Sequence, residues 1–338
     1  MSISRKKYYH IIDMKRHGTI YNLLYPLCKN YENHKLITYE SFLEKLYVKK
    51  INKENDCVIF IHTTGSLHSK YLFNFNSIFI NKNIIIFLHV SPKYLIKRGR
   101  KKILKYFEKL SRKGILFVVP SPAIVIELKK YNINAFFVQL GIEQLNIKKY
   151  KKNKLSLMKY YNRIITTCTS GGHNDIYFKV KGIDIFCKIM RNCNLLENCL
   201  IAGTNVNFNN DIICKSFKQN DFLNILYHSK MYIQCSRYES YNITAIQAKR
   251  FKKPVLLLDT EGTSYCMNGY VFKNNSDIEN EIKKIESNNY NYDLINELYY
   301  DSLRRENLDN FKNQIEKVST IKVRGIVNYE KNIGIIKL

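Results

Sequence analysis

Short apolar runs alternate with helix-like segments along most of this 338-residue chain. Each run is long enough for one buried strand, and the segments between runs are long enough for a helix that crosses back over a sheet. This alternation is typical of parallel β-sheets that carry helices on their faces. The sequence therefore predicts an α/β fold. The predicted strands are residues 8–13, 58–62, 84–89, 116–119, 163–168, 231–235 and 254–259.

The length of the chain also bears on the number of domains. A chain of 338 residues can bury a large core and is long enough for two domains of ordinary size. A lysine-rich stretch at residues 147–159, IKKYKKNKLSLMK, is the best candidate for a linker. We therefore predict one domain over residues 1–150 and a second over residues 151–315.

The most informative stretch is residues 231–259, which reads as a strand, a polar turn, a helix and a second strand. The polar turn covers residues 236–242, and the helix is predicted over residues 243–251. A helix that begins after a strand offers backbone N–H groups and the positive end of its dipole to an anion. A diphosphate group would suit this position.

The residues of this turn resemble those of the retaining glycosyltransferases of family four, which have the GT-B fold. That family has a Glu, then an aromatic residue and a Gly, then a second Glu eight positions after the first. Here these positions are Glu239, Tyr241, Asn242 and Gln247. The resemblance implies that Glu239 binds the donor sugar, Gln247 binds the ribose, and backbone N–H groups of Ser240 to Asn242 bind the diphosphate. Asn242 tolerates left-handed backbone well, and Gln247 keeps hydrogen-bonding capacity without the charge.

A second family feature follows the predicted strand at residues 163–168. The family has an Arg soon after this strand and a Lys just before a Gly, both on the diphosphate. Lys181 matches that Lys, and no Arg stands between the strand and Lys181. Fixed cations stabilise a leaving diphosphate. The resemblance therefore implies that His173 or Lys179, near Gly172, takes the place of the Arg, or that the leaving group is held more weakly. The alternative is that Lys181 is a solvated residue at the start of a helix.

Further strings fall in the family's order, so that the resemblance spans residues 84–272. They are FVVPS at 117–121, VQLGIE at 138–143, KGID at 181–184 and NGYVF at 268–272. The resemblance implies a GT-B architecture, in which two Rossmann-like parallel-sheet domains face a central cleft. It also implies that the C-terminal segment, residues 316–338, crosses back to the first domain.

Two residues of the first domain are candidates for the site. Gly18 follows the first strand, where the family has a glycine-rich turn close to the donor phosphates, although any tight strand-to-helix turn can require a glycine. His89 ends a strand where the family places a His near the donor sugar and the acceptor; the alternative is a structural histidine at a strand end. His62 ends a neighbouring apolar run and competes for an acceptor-side role.

The function implied by the resemblance is retaining transfer of a sugar from a nucleoside diphosphate sugar to an unidentified acceptor, which is a glycan, a lipid-linked molecule or a protein. Glu239 and His89 are the predicted catalytic residues. Retaining members of the family usually work without a metal, and no Asp-x-Asp pair ends a strand here. We therefore expect no metal and no cofactor apart from the sugar nucleotide as co-substrate.

The net charge of +27 suggests further partners. Residues 93–113 form the densest basic segment, with Glu108 as the only acid. The apolar residues of this segment form a stripe, so the helix can lie on an anionic membrane or pack on the sheet of its own domain. The stripe consists of Ile103, Leu104, Phe107, Leu110 and Ile96. The charge also favours two alternatives, a nucleic-acid-binding protein and a DNA-modifying glycosyltransferase. A catalytically inactive protein that binds a nucleotide sugar is a third alternative, because Gln247 replaces an acid and the Arg is missing.

The cysteines and the N-terminal residues indicate a compartment. Nine cysteines are dispersed without the paired short spacing of a zinc site, which argues against a secreted disulfide framework. No apolar signal core and no run of membrane-spanning length is present in the sequence. We therefore expect a cytoplasmic protein that associates peripherally with a membrane through its basic segment.

Overall fold

The computed structural model describes residues 6–12, 19–38, 45–54, 56–64, 82–168, 179–203, 212–239, 241–259 and 270–321. The chain divides into two compact units. Unit 1 contains Met1–Val119, Val125–Val138 and Lys312–Leu338, and unit 2 contains Pro120–Ile124 and Gln139–Phe311.

Unit 1 is built on a six-stranded parallel sheet. The strands are β1 (Lys7–Ile12), β2 (His34–Thr38), β3 (Cys57–Thr63), β4 (Asn83–Leu88), β5 (Leu116–Val119) and β6 (Ala135–Phe137). They lie in the order β2-β1-β3-β4-β5-β6. The helices in this part of the chain are α1 (Thr19–Asn30), α2 (Lys45–Lys53), α3 (Pro92–Lys97), α4 (Lys101–Arg112) and α5 (Pro122–Lys129). Every residue of β3 is buried, as expected for a parallel strand covered on both faces.

Unit 2 contains a second six-stranded parallel sheet. The strands are β7 (Ile164–Thr167), β8 (Cys199–Ala202), β9 (Ile213–Lys215), β10 (Met231–Gln234), β11 (Val255–Leu258) and β12 (Tyr270–Phe272). They lie in the order β12-β11-β10-β7-β8-β9. The helices are α6 (Ile147–Lys151), α7 (Ile183–Asn192), α8 (Gln219–Tyr227), α9 (Ile243–Arg250), α10 (Asn275–Glu286), α11 (Tyr292–Arg305) and α12 (Leu308–Val318). One core cluster joins Phe186 and Met190 of α7 to Ile233 of β10 and Ile282 of α10.

The two parallel sheets confirm the predicted α/β class, and each predicted strand is present to within about two residues of its predicted bounds. In each sheet the order of the strands reverses once. The reversal lies between β1 and β3 in unit 1 and between β7 and β10 in unit 2. Ligands of open α/β sheets bind at the carboxyl ends of the strands beside such a switch point. The fold therefore indicates the end of β7 and β10 as a candidate site.

The lysine-rich stretch predicted as a linker is part of unit 2. Residues 147–159 contain α6 and most of a 3₁₀ turn, Leu155–Tyr160. Tyr150 and Leu157 are buried, and the Asn224 side chain donates to the Tyr150 carbonyl at 3.1 Å. These apolar residues between the lysines give the stretch a packed face, so the linker prediction is wrong. The predicted boundary at residue 150 accordingly differs from the change of unit at residues 138 and 139.

The last helix, α12, passes from unit 2 into unit 1. Beyond its end, the Ser319 carbonyl accepts a hydrogen bond from the Asn83 side chain at 3.1 Å. This contact places residues near the predicted start of the crossing segment on the sheet of unit 1. Residues 322–338 of that segment lie outside the described part of the chain.

Most of the apolar stripe of the basic segment is buried in the core of unit 1. Ile103, Leu104 and Phe107 of α4 are buried, and the Phe107 ring meets Phe117 of β5 edge to face at 5.3 Å. Ile96 of α3 stays 39% exposed. Membrane contact through this segment stays a prediction that depends on its lysines rather than on insertion of the whole stripe. Within the described ranges, no helix is long and apolar enough to cross a membrane.

No disulfide bond joins any two of the described cysteines. Burial raises the pKa of Cys28 and of Cys235 to about 12, so that neither thiol is reactive at neutral pH. Cys235 follows β10 and belongs to the core of unit 2. Cys266 lies outside the described residues.

Candidate functional site

The candidate site lies at the carboxyl end of β10, beside the switch point of unit 2. The chain leaves β10 through the buried residues Cys235 and Ser236, and α9 begins at Ile243, seven residues after Ser236. Asn242 caps α9, because its side-chain oxygen accepts a hydrogen bond from the Ala245 N–H at 3.0 Å. Its φ of −110° is extended rather than left-handed. The positive end of α9 therefore begins at this edge of the sheet, as the sequence predicts.

An ion pair joins the two charged residues that the sequence assigns to the donor. Lys181 Nζ lies 2.9 Å from Glu239 Oε2, and the side chains are 22% and 10% exposed. Gln234 Nε2 lies 3.4 Å from the same oxygen. A carboxylate offers about four lone-pair positions, so this pair leaves capacity for hydroxyl groups on Glu239.

Gly182 explains how Lys181 reaches Glu239. This glycine has a φ of 64°, and a Cβ atom built on it would lie 1.7 Å from the carbonyl oxygen of Cys235. The backbone before α7 therefore touches the backbone after β10, which only a glycine permits. Because of this contact, Lys181 stands next to the turn that carries Glu239.

Gly182→Ala should destabilise the protein by roughly 2–4 kcal/mol, because it adds a backbone overlap to the cost of a positive φ. Gly99→Ala is the matched control, since Gly99 has a φ of 69° with no atom within 4 Å of the added carbon. It should cost only about 1–2 kcal/mol. Urea unfolding of both variants measures the difference. Equal losses would show that the contact with Cys235 does not constrain residue 182.

Arg237 fastens the turn after β10 to α7. Its guanidinium forms a two-pronged ion pair with Asp184 at 2.7 and 2.6 Å. The backbone N–H of Arg237 donates to the Val180 carbonyl at 2.9 Å. Hydrogen bonding from Arg237 lowers the pKa of Asp184. No motif in the sequence assigns a role to Arg237, although this residue lies two positions before Glu239. This arginine comes from the turn after β10, whereas the family pattern has one after the strand corresponding to β7.

A buried network of polar side chains lies next to the candidate site. The Tyr232 hydroxyl lies 2.9 Å from Thr167 Oγ1 of β7 and donates to Gln234 Oε1 at 2.6 Å. The Asn242 amide donates to the same hydroxyl at 3.0 Å. The network therefore connects both central strands to the cap of α9. Its signal in the sequence is the pair Tyr232 and Gln234, two polar residues on one face of an otherwise apolar strand.

Tyr241 and Gln247, the other two residues of the family pattern, lie in different surroundings. The Tyr241 hydroxyl donates to the Leu140 carbonyl at 2.6 Å and accepts from the Gln139 amide at 2.9 Å. The side chain of Tyr241 is therefore hydrogen-bonded to the segment before α6. Its predicted role in binding the diphosphate involves only its backbone N–H. Gln247 is buried in the second turn of α9.

Among the predicted site residues, the structure brings together Lys181, Glu239 and the cap Asn242. His89 belongs to unit 1, where it follows β4 and its Nε2 lies 3.0 Å from Nδ1 of His62. Four predicted residues lie outside the described residues, so their roles stay predictions: Gly18, Gly172, His173 and Ser240. In the described ranges, no group of three or more His, Cys, Asp or Glu side chains could hold a metal ion.

Solved structures share this architecture, whereas no protein-family model and no curated protein match the sequence. A variant of S. aureus TarM in complex with Fondaparinux, alpha-GlcNAc-glycerol and UDP is 16% identical, covers 83% of this chain and has a TM-score of 0.57. A UDP-forming α,α-trehalose-phosphate synthase from Burkholderia xenovorans is 11% identical, with 95% of this chain and 100% of that chain covered and a TM-score of 0.65. The protein has the GT-B fold.

A further GT-B structure gives the same result. The sucrose-phosphate synthase from Thermosynechococcus elongatus is 11% identical, with 93% of this chain and 98% of that chain covered and a TM-score of 0.67. The chain spans 58% of the length of the TarM chain. The GT-B fold predicted from the turn residues and the ordered strings is thereby confirmed.

Proposed function

We propose that this protein transfers a sugar from a nucleoside diphosphate sugar to an acceptor hydroxyl. Glu239 binds hydroxyl groups of the donor sugar, Lys181 binds the diphosphate and Gln247 binds the ribose. The observation that carries the proposal is the Lys181–Glu239 pair, at 2.9 Å, beside the switch point of a GT-B unit.

The chemistry of the pair suits a sugar nucleotide. A diphosphate leaving group gains negative charge as the glycosidic bond breaks, and Lys181 with the N-terminus of α9 supplies fixed positive charge there. The ionised Glu239 accepts hydrogen bonds from hydroxyl groups and repels an additional phosphate. Binding of the sugar to Glu239 would also restrict the side chains of Glu239 and Lys181 to one conformation.

The finer features of the reaction are proposals drawn from the family resemblance. We propose a retaining reaction, in which an oxygen of the leaving phosphate helps to take the proton of the acceptor. No metal and no further cofactor is part of this mechanism. Because the TarM structure contains UDP and the trehalose-phosphate synthase is UDP-forming, a uridine donor is the first to test.

A thermal-shift screen against UDP, GDP, ADP, dTDP and CMP tests donor binding. A ligand that binds only the folded state at 100 times its Kd adds about 2.7 kcal/mol of stability. We expect one diphosphate to raise the melting temperature. Lys181→Ala should weaken its binding by roughly 10- to 100-fold, because it removes a hydrogen bond between charged groups.

Lys230→Ala is the matched control for Lys181→Ala. Lys230 forms a similar ion pair with Glu286 at 2.7 Å, but it lies just before β10, at the opposite end of the strand. This variant should keep the affinity of the wild type. No shift with any nucleotide at millimolar concentration would contradict the proposal.

The charge of the chain favours a second candidate acceptor. The exposed lysines of α4 and the net charge of +27 would suit a nucleic acid, either as the acceptor of a DNA-modifying transferase or as a plain binding partner. Affinity for DNA that falls steeply with salt, combined with sugar-nucleotide binding, would indicate the first. The same affinity without sugar-nucleotide binding would indicate the second. Binding of a diphosphate without any turnover would indicate an inactive relative.

A further inference from the structure

The lysine-rich stretch, residues 147–159, presents apolar side chains to solvent. Leu155 is 88% exposed and Met158 is 49% exposed. They stand at positions i and i+3 of the 3₁₀ turn Leu155–Tyr160, and side chains with this spacing lie one above the other in a 3₁₀ helix. Leu157 and Tyr160, which have the same spacing, are buried. The turn therefore has one apolar face inside unit 2 and a second apolar face in solvent.

Lysines flank this exposed apolar pair on both sides in the sequence. All six lysines of the stretch are exposed, and no acidic residue occurs between positions 144 and 163. Asp221 of α8 pairs with Lys154 at 2.9 Å and offsets one of these charges. The surface around Leu155 is therefore strongly positive. The six lysines are Lys148, Lys149, Lys151, Lys152, Lys154 and Lys159.

Contacts within unit 2 hold the stretch in place. The Asn224 side chain, buried in α8, donates to the carbonyl groups of Tyr150 and Lys152 at 3.1 and 3.2 Å. The Tyr160 ring meets Phe217 edge to face at 5.0 Å. Between these two anchors, residues 151–156 are all exposed. The fold therefore fixes both ends of the exposed segment that carries Leu155.

The basic segment at residues 93–113 has a different arrangement. Its lysines are exposed as well, but Ile103, Leu104 and Phe107 of its apolar stripe are buried in unit 1. Insertion of that stripe into another apolar medium would require α4 to leave the core. Leu155 and Met158 can enter such a medium without any rearrangement of unit 2.

An anionic membrane suits both the charge and the apolar pair of the lysine-rich stretch. Lipid headgroups of negative charge attract lysines, and an apolar side chain is stabilised at the boundary between headgroups and acyl chains. The phosphates of a nucleic acid would also attract the lysines, but they offer Leu155 no apolar medium. A fluid membrane surface, moreover, needs no preformed cavity to accept a projecting segment.

We propose that the lysine-rich stretch is the membrane-inserting surface of this protein, with Leu155 and Met158 placed among anionic lipids. The lysines supply an attraction that weakens with salt, whereas the apolar pair supplies one that does not. No residue of the stretch belongs to the candidate site. The inference therefore goes beyond the proposed function and does not depend on it.

A single introduced tryptophan reports the insertion, because the chain contains no tryptophan of its own. Leu155→Trp is mixed with vesicles of phosphatidylcholine and phosphatidylserine. Its emission should shift to shorter wavelength, because the indole ring enters the membrane interface. Tyr300→Trp is the matched control, since Tyr300 of α11 also belongs to unit 2 and is 63% exposed. Ile96→Trp tests the basic segment in the same way. Neither of these two variants should change its emission.

Co-sedimentation of the full-length protein with the same vesicles measures affinity. Leu155→Ser combined with Met158→Ser should weaken binding roughly 10-fold and leave its salt dependence unchanged. Replacing Lys148, Lys151 and Lys152 together by Gln should weaken binding roughly 100-fold, because each lysine at an anionic surface contributes about fivefold. This second variant should also reduce the salt dependence.

The matched control removes the same charge from the basic segment. Lys101, Lys102 and Lys105 of α4 are exposed, and their joint replacement by Gln should weaken vesicle binding by less than about 3-fold, because charges outside the contact are screened by salt. An equal loss in the two triple-lysine variants would overturn the inference.

The fluorescence experiment can also contradict the inference. Vesicle binding that leaves the emission of Leu155→Trp unchanged would overturn it, and so would a shift of Ile96→Trp in its place. Absence of vesicle binding would overturn it too, including the case in which the protein binds DNA or an acidic protein instead of lipid. Nucleotide binding in the thermal-shift screen requires no membrane, so the proposed function and this inference can fail separately.

Discussion

Glu239→Ala should abolish sugar transfer, with a fall in kcat/KM of at least about 1000-fold. The Glu239 side chain is 10% exposed. In the proposed function its carboxylate accepts hydrogen bonds from the donor sugar. Its loss leaves sugar hydroxyl groups without a partner, and it leaves Lys181 without its counter-charge. The variant should fold, because an ion pair with a partly exposed lysine adds only about 1 kcal/mol to stability. Product formation from the donor that the nucleotide screen identifies measures the effect.

Glu286→Ala controls for the loss of a carboxylate from unit 2. Glu286 pairs with Lys230 at 2.7 Å, before the start of the same strand β10. Ligands of parallel sheets bind at the carboxyl ends of strands, so this variant should keep the activity of the wild type. Full turnover by Glu239→Ala, or an equal loss in both variants, would contradict the role given to Glu239.

Acid should unfold unit 1 in a pH range where most proteins of this class remain stable. In the unfolded chain each histidine takes up a proton near pH 6.5, whereas burial keeps the pKa of His10, His34, His62 and His89 below that value in the folded protein. Below pH 6.5 the unfolded state therefore binds more protons than the folded state. The free energy of unfolding falls as the pH falls, by up to about 1.4 kcal/mol per pH unit for each histidine and about 5 kcal/mol for all four.

Urea unfolding at pH 7.5, 6.5 and 5.5 measures this dependence, with amide hydrogen exchange in the strands of unit 1 as the local probe. The groups facing His34 are Glu316, which raises its pKa, and Lys312, which lowers it, so His34 contributes least. His10→Phe removes one titrating ring and should reduce the slope by about 1.4 kcal/mol per pH unit. A stability of unit 1 that stays constant from pH 7.5 to 5.5 would show that these histidines are not buried as neutral rings.

Much of the fold follows from local patterns in the sequence. The strand β5 has the predicted bounds. A short apolar run between Gly114 and Pro120 favours a single buried strand. The turn between β10 and α9 was predictable for a similar reason, since Asn242 is a favoured helix cap. The meeting of Lys181 and Glu239 was predictable only through the family resemblance, because 58 residues separate them.

Other features depend on strand order and register, which a single sequence does not reveal. His10, His34, His62 and His89 are four separate histidines in the sequence, and each has an ordinary structural explanation. Their rings form one hydrogen-bonded row only because β2, β1, β3 and β4 are neighbours with steps of two residues. The linker prediction failed for a different reason, since lysines dominate the composition of residues 147–159 while the few apolar side chains decide its packing.

Release of the nucleoside diphosphate from sugar nucleotides by the purified protein, with water as a substitute for the acceptor, would test the proposed sugar transfer without knowledge of the acceptor. We would incubate the wild type, Glu239→Ala and Glu286→Ala with uridine, guanosine, adenosine and thymidine diphosphate sugars and follow the products by mass spectrometry. We expect slow cleavage of one donor class by the wild type and by Glu286→Ala, and none by Glu239→Ala. Absence of both binding and cleavage for every donor at millimolar concentration, in protein that is folded, would contradict the proposed function.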